Sequence, residues 1–209
     1  MTLELFYKIA LAVFAYLLGS IPCGLVLSRA CGAADPRRHG SANIGATNVA
    51  RVGGLGLGVA TLAADMLKGL IPVGVASIWA STGVGSEVYP VALALLAFFG
   101  HLFPLYTGFR GGGKGVATAA GGFVLIAPLA VLCATMAFVL CGCIFRRVSV
   151  GSLTAALILP LAVYATIDSG AASAGAALAS AFIFIRHADN IRRLAAGNEP
   201  MFRVGQKNN

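Results

Sequence analysis

The run Gly108-Phe109-Arg110-Gly111-Gly112-Gly113-Lys114-Gly115 stands in the middle of a strongly apolar chain. Its residue types suit phosphate. Glycines leave backbone N–H groups uncovered and free to turn inward, and a lysine and an arginine place fixed positive charge beside them. The residues from Val116 onward are apolar and read as a helix, so the run precedes a helix N-terminus, where the dipole also favours an anion. Gly108 to Lys114 meets the first part of the nucleotide-binding pattern G-x-x-x-x-G-K-[ST]. The last position fails, because Gly115 has no hydroxyl for magnesium, and the residues before Gly108 form an apolar stretch with Pro104 instead of a strand. A phosphate cradle that is not a P-loop is expected; a plain glycine turn between membrane helices is the simpler alternative.

Three other segments carry polar, helix-breaking residues: Gly40 to Arg51, Ser149 to Ser152, and His187 to Arg193. Small residues, Asn, Arg, Lys and His fit an anionic pocket in which backbone amides and guanidinium forks hold phosphates. His187 and Asn190 are three apart and share a face if helical, whereas Asp189 points elsewhere.

These segments have to be positioned by membrane helices. Of 209 residues, 58% are hydrophobic and 11% charged, with a mean hydropathy of +0.88. A soluble chain of this length carries roughly a quarter charged residues, so residues 1–209 are read as one integral membrane domain. The net charge of +8 comes from basic residues beside apolar spans, with no aromatic-basic pattern, which argues for membrane topology and against nucleic acid. Five cysteines are expected as free thiols, and Cys141-x-Cys143 lacks the second ligand pair of a zinc site. The first apolar segment runs past Ala10 without a cleavage site and is expected to remain as the first helix.

The all-α reading places spans at Leu5–Leu27, broken at Gly19–Gly24, then at Val52–Ala80 and Val91–Tyr106. A short hairpin over Val116–Phe145, turning near Pro128, follows because both its flanks are basic, and Val150–Ile167 and Ala171–Ile185 complete the set. The total is about seven transmembrane helices, with the N-terminus outside and the C-terminus cytoplasmic. Arg29–Arg51 and the basic tail with Arg186, Arg192, Arg193, Arg203 and Lys207 face inward; Ser81–Tyr89 and Asp168 face outward. Asp65 and Lys68, three residues apart inside a span, are expected as a structural ion pair more than as a substrate contact.

Gly19-Ser20-Ile21-Pro22, the Ser41–Arg51 motif, Asp65-Met66-Leu67-Lys68-Gly69, Gly100-His101-Leu102-Phe103-Pro104, Gly112-Gly113-Lys114-Gly115-Val116-Ala117-Thr118 and His187 through Glu199 together resemble the bacterial integral-membrane acyl-phosphate:glycerol-3-phosphate acyltransferases. The resemblance covers nearly the whole chain. Two departures are visible. Ala42 stands where the family pattern has glycine, and three glycines precede Lys114 where two are expected, which affects the placement of Arg110 but not of Lys114.

The resemblance implies transfer of a fatty acyl group from acyl phosphate to the 1-hydroxyl of glycerol 3-phosphate, at the cytoplasmic side of a bacterial inner membrane, in phospholipid synthesis. It implies no metal and no cofactor, because acyl phosphate is already activated. Carried over by position, Arg51, Lys114, His187 and Asn190 hold glycerol 3-phosphate and serve catalysis, Ser41, the Gly112 and Gly113 amides and Ser152 hold acyl phosphate, and Asn43 binds substrate. Neither His101 nor His187 has an aspartate five residues on, so the usual acyltransferase His-x-x-x-x-Asp pair is absent. Catalysis by positioning and charge stabilisation is expected, with either His187 or a substrate phosphate taking the hydroxyl proton. The competing reading is a secondary transporter of a phosphorylated solute, whose site would lie near the bilayer midplane between repeats.

Overall fold

The computed structural model describes residues 2–80 and 87–201. Ser81–Ser86, expected on the outer side, and Arg203 and Lys207 of the basic tail lie outside the described residues. Within them every regular element is helical. Helix α1 (Leu3–Ser20) is capped by the Thr2 hydroxyl, which accepts the Leu5 N–H, and stops before Pro22, which cannot donate to a helix. Helix α2 (Cys23–Ala30) resumes after the break, as the Gly19–Gly24 interruption predicts. A short α3 (Ala46–Gly53) leads into the long α4 (Leu55–Ala80). Helix α5 (Val88–Leu102) ends ahead of Pro104 and is followed by a 3₁₀ turn at Leu105–Thr107.

Between Lys114 and Arg146 the chain makes two unequal limbs: α6 (Val116–Phe123) and α7 (Pro128–Phe145), with proline in the first turn of the latter. Gly113 lies against His101 and Gly122 against Ala94, so α6 runs antiparallel to α5. The Phe138 main chain backs onto Gly151, near the start of α8 (Val148–Thr166), so α7 returns toward the glycine loop. Helix α9 (Gly170–Arg186) then meets α10 (Ala188–Ala195) at a 58° bend.

Five helices among the described residues are long and apolar enough to cross a bilayer, or six if α9 and α10 form one bent span. At eight residues α6 extends only about 12 Å. The expected count of about seven therefore needs α6 to count as a half-length limb. On α7, Leu132, Met136, Leu140 and Ile144 form an exposed stripe at helical spacing while Ala130, Val131 and Ala134 are buried. A fully apolar outer stripe of this kind faces lipid. All five cysteines are free thiols.

Close backbone contacts fix the bundle. A Cβ on Gly19 would overlap the Ala97 carbonyl and one on Gly100 the Tyr16 carbonyl, joining α1 to α5; Gly69 and Gly121 likewise meet the Thr118 and Met66 carbonyls and join α4 to α6. Small residues at crossings allow the van der Waals packing that drives helix association in lipid.

The departure at Ala42 has a structural meaning: its φ is +52°, a left-handed conformation that costs an alanine roughly 1–2 kcal/mol and a glycine almost nothing. Of the three glycines before Lys114, Gly112 and Gly113 have no room for a side chain, whereas Gly111 is exposed with open space around its Cα. The additional glycine is thus accommodated at the outer edge of the loop.

Candidate active site

A cavity of about 300 Å³ opens where the polar segments converge. Ser41, Asn43, Arg51, Lys114, Ser152, His187 and Asn190 all line it, so seven of the nine sequence-predicted substrate residues come together from α3, α6, α8, α9 and α10 and their loops. Gly112 and Gly113 are not in its wall. The Gly113 amide donates to the His101 carbonyl at 3.1 Å, so it is committed to holding the loop on α5 and is not free for a substrate phosphate. Arg110 is also outside the cavity and exposed. Both glycines are closely packed, Gly112 against the Leu102 carbonyl and Gly113 against the His101 ring.

Lys114 precedes α6, whose N-cap Gly115 has φ +83°. That left-handed turn directs the chain into the helix and leaves the first amides of α6 unpaired within it. The Lys114 ammonium donates to Asn190 Oδ1 at 2.5 Å, and Asn190 Nδ2 donates to Glu199 Oε1 at 2.6 Å. Arg193 Nε binds the other Glu199 oxygen at 2.8 Å, while Arg147 Nε binds the Glu199 main-chain carbonyl at 3.0 Å. Glu199 thus fixes which end of the Asn190 amide faces Lys114. Arg51 lines the same cavity with no hydrogen-bond partner among the described residues.

Burial pushes the Lys114 ammonium down to about 8, against the attraction of Glu199 and with the Arg193, Arg51 and Arg186 charges adding to the lowering. Burial would raise the Glu199 carboxyl, but hydrogen bonds from Asn190 and Arg193 hold it below the ordinary glutamate value. Around Asn190 the Lys114, Arg51 and Arg193 cations outnumber the Glu199 carboxylate, an arrangement that gains from a multiply charged anion.

His187 joins α9 to α10 and is buried. Its Nδ1 lies 2.8 Å from the Ile183 carbonyl, which can only accept, so Nδ1 carries the hydrogen and Nε2 presents a lone pair. Asp189 is exposed and pairs with Arg192 at 3.2 Å, away from the imidazole. The ends of α9 and α10 therefore put His187 and Asn190 on the cavity side, as their spacing predicts.

Three residues that sequence reasoning did not assign to the site shape it. Asn48 is buried, donates to the Pro36, His39 and Asn43 carbonyls and accepts the Ser41 amide at 2.8 Å, folding the 36–43 loop over the cavity. Glu199 orients Asn190, and Arg186 grips the glycine loop from behind. Only the repeated Asn in the Asn43–Asn48 interval was a local signal; the other two contacts bridge distant parts of the fold.

Beyond these residues the cavity wall takes in Asp65 and His101 and becomes mostly apolar along the interiors of α4, α7 and α8, including Leu62, Met66, Val131, Phe138 and Leu159. A polar end carrying Arg51 and Lys114 thus adjoins a mostly apolar end. Residues 9–197 match the family model described as glycerol-3-phosphate acyltransferase. The glycerol-3-phosphate acyltransferase of Syntrophotalea carbinolica is 47% identical over 95% of this chain and 98% of its own length, and that of Thioalkalivibrio sulfidiphilus is 45% identical over 95% and 94%. The crystal structure of PlsY (YgiH), an integral membrane glycerol 3-phosphate acyltransferase, in its glycerol 3-phosphate form superposes with a TM-score of 0.86 at 36% identity, covering 94% of this chain and 96% of that one. Its lysophosphatidic acid form gives 0.82 over the same coverage. With fold, cavity and sequence in agreement over nearly its whole length, this chain belongs to the glycerol-3-phosphate acyltransferase family.

Proposed function

We propose that the protein transfers a fatty acyl group from acyl phosphate to the 1-hydroxyl of glycerol 3-phosphate, releasing 1-acylglycerol 3-phosphate and inorganic phosphate at the cytoplasmic face of a bacterial inner membrane. The observation that carries this reading is one cavity with Arg51 and Lys114 at its polar end and an apolar wall beyond them. Both substrates carry phosphate, and one carries a long hydrocarbon chain. The glycerol oxygen forms a bond to the acyl carbon, the acyl C–O bond to phosphate breaks, and the hydroxyl proton leaves with the phosphate product. Arg51 and Lys114 stabilise charge on the phosphates, with approximation of the two substrates supplying roughly 7–11 kcal/mol of the barrier reduction.

His187 is assigned to orienting glycerol 3-phosphate through the Nε2 lone pair. Taking up a proton would add another cation beside Lys114, and Nδ1 is bonded to the Ile183 carbonyl instead of a carboxylate that could stabilise it. His187→Gln is therefore expected to raise the KM for glycerol 3-phosphate and to keep the pH dependence of the rate. Unchanged affinity with loss of the acidic limb would make His187 the base instead.

The N-terminus is placed outside and the C-terminus inside, since the basic segments gather at the cavity end of the bundle. A membrane-impermeant thiol reagent applied from outside should label a cysteine at Asp168 but not one at Arg37 or Arg110; the reverse pattern inverts the protein. The function itself is decided with purified protein, acyl phosphate and labelled glycerol 3-phosphate. Absence of labelled 1-acylglycerol 3-phosphate, with acyl transfer from another activated donor, would reassign the donor. Transport of glycerol 3-phosphate into vesicles without acylation would favour the transporter.

A further inference from the structure

Arg186 is the last residue of α9, half-buried, and absent from the cavity wall. Its guanidinium spans two consecutive carbonyls of the glycine loop, with Nε 3.1 Å from the Gly113 oxygen and one terminal nitrogen 2.5 Å from the Gly112 oxygen. On the other side of the loop the Gly113 amide donates to the His101 carbonyl at the end of α5. The peptide between Gly112 and Gly113 is therefore held at both ends, its C=O by α9 and its N–H by α5. In the next planar trans peptide, capture of the Gly113 carbonyl turns the Lys114 N–H the opposite way and fixes where the Lys114 side chain starts.

We infer that Arg186 is a positioning residue, whose two-pronged grip on the Gly112 and Gly113 carbonyls sets the register between Lys114 and the neighbouring His187. The two residues at the end of α9 divide the work: Arg186 faces the back of the loop and His187 faces the cavity. A planar fork can hold two carbonyls at once, whereas a lysine ammonium in the same place would supply the charge without the geometry. The consequence is a separation of charge from shape that substitution can read.

This inference deepens the acyl-transfer reading of the same cavity, and its test has one arm that needs no turnover. Arg186→Lys and Arg186→Ala are compared with the parent protein, first by the rate at which an amine-acylating reagent modifies Lys114, followed by mass spectrometry on folded protein, and second by kcat and KM. Both variants are expected to label Lys114 several-fold faster and to lose ~10- to 100-fold in kcat/KM, mostly in kcat, as a displaced catalytic group predicts. Where Arg186→Ala does not fold, Arg186→Lys and Arg186→Gln decide. Unchanged Lys114 labelling, full turnover in Arg186→Lys, or a loss no greater than the loss of folded protein overturns the assignment. A parent protein that does not acylate glycerol 3-phosphate removes the reading of the function, and the labelling comparison still decides the role of Arg186.

Discussion

Lys114→Ala is expected to cut kcat/KM by roughly 10²–10³, the scale of removing one preorganised charge-stabilising group, while the variant still reaches the membrane folded. The side chain reaches Asn190 through its ammonium and lines a cavity, so its removal deletes charge from the cavity more than it opens the core. The same group sets a pH dependence. With the Lys114 ammonium lowered to about 8, the empty site loses its charge as pH rises through that value, and kcat/KM falls on a basic limb near pH 8. Bound phosphate favours the ammonium, so the corresponding limb in kcat lies at higher pH. Lys114→Arg should remove the limb because a guanidinium stays charged, at some cost in alignment. Near-parental turnover in Lys114→Ala would take the glycine loop out of the active site.

The second large effect is on stability. Lys68 Nζ and Asp65 Oδ1 are 2.7 Å apart, with side chains 2% and 4% exposed, and His101 Nδ1 lies 3.6 Å from the same oxygen and 3.4 Å from the ammonium. Asp65→Asn strands the Lys68 charge among apolar helices, and breaking a buried pair in this way costs roughly 3–5 kcal/mol. A marked drop in thermal midpoint and in yield is expected. Removing both charges with Asp65→Asn and Lys68→Met should recover most of it. A rise in KM with no change in midpoint would instead make Asp65 a substrate contact.

Much of this was legible in the chain itself. Breaks at Pro22, Pro104 and Pro128 fall at helix ends, where proline removes a donor, whereas Pro72 and Pro160 are carried inside α4 and α8 and the end of α3 at Gly53 falls within the expected Val52–Ala80 span. The Asp65–Lys68 pair and the shared face of His187 and Asn190 follow from helical spacing alone. Arg186 and Glu199 were not readable, since their roles depend on carbonyls and an amide brought from 73 and 9 residues away by tertiary packing. Arg186 at a span end reads first as a topology marker, and Glu199 lies past α10 in a segment with no periodicity. The Gly113 amide shows a related limit: glycine spacing marks an uncovered backbone, and only the fold shows that this N–H meets the His101 carbonyl.

The glycine seams also bear on how substrates reach the cavity. Alternating access requires one group of helices to rock against another about a central site. Here α1 is keyed into α5, and α4 into α6, by main chain against main chain, so a sliding motion at either seam would drive backbone into carbonyl oxygen. A bundle interlocked in this way behaves as a fixed frame. The 36–43 loop, tied by Asn48, and the segment that carries Glu199, tied to Asn190 and Arg193, both lie outside those crossings.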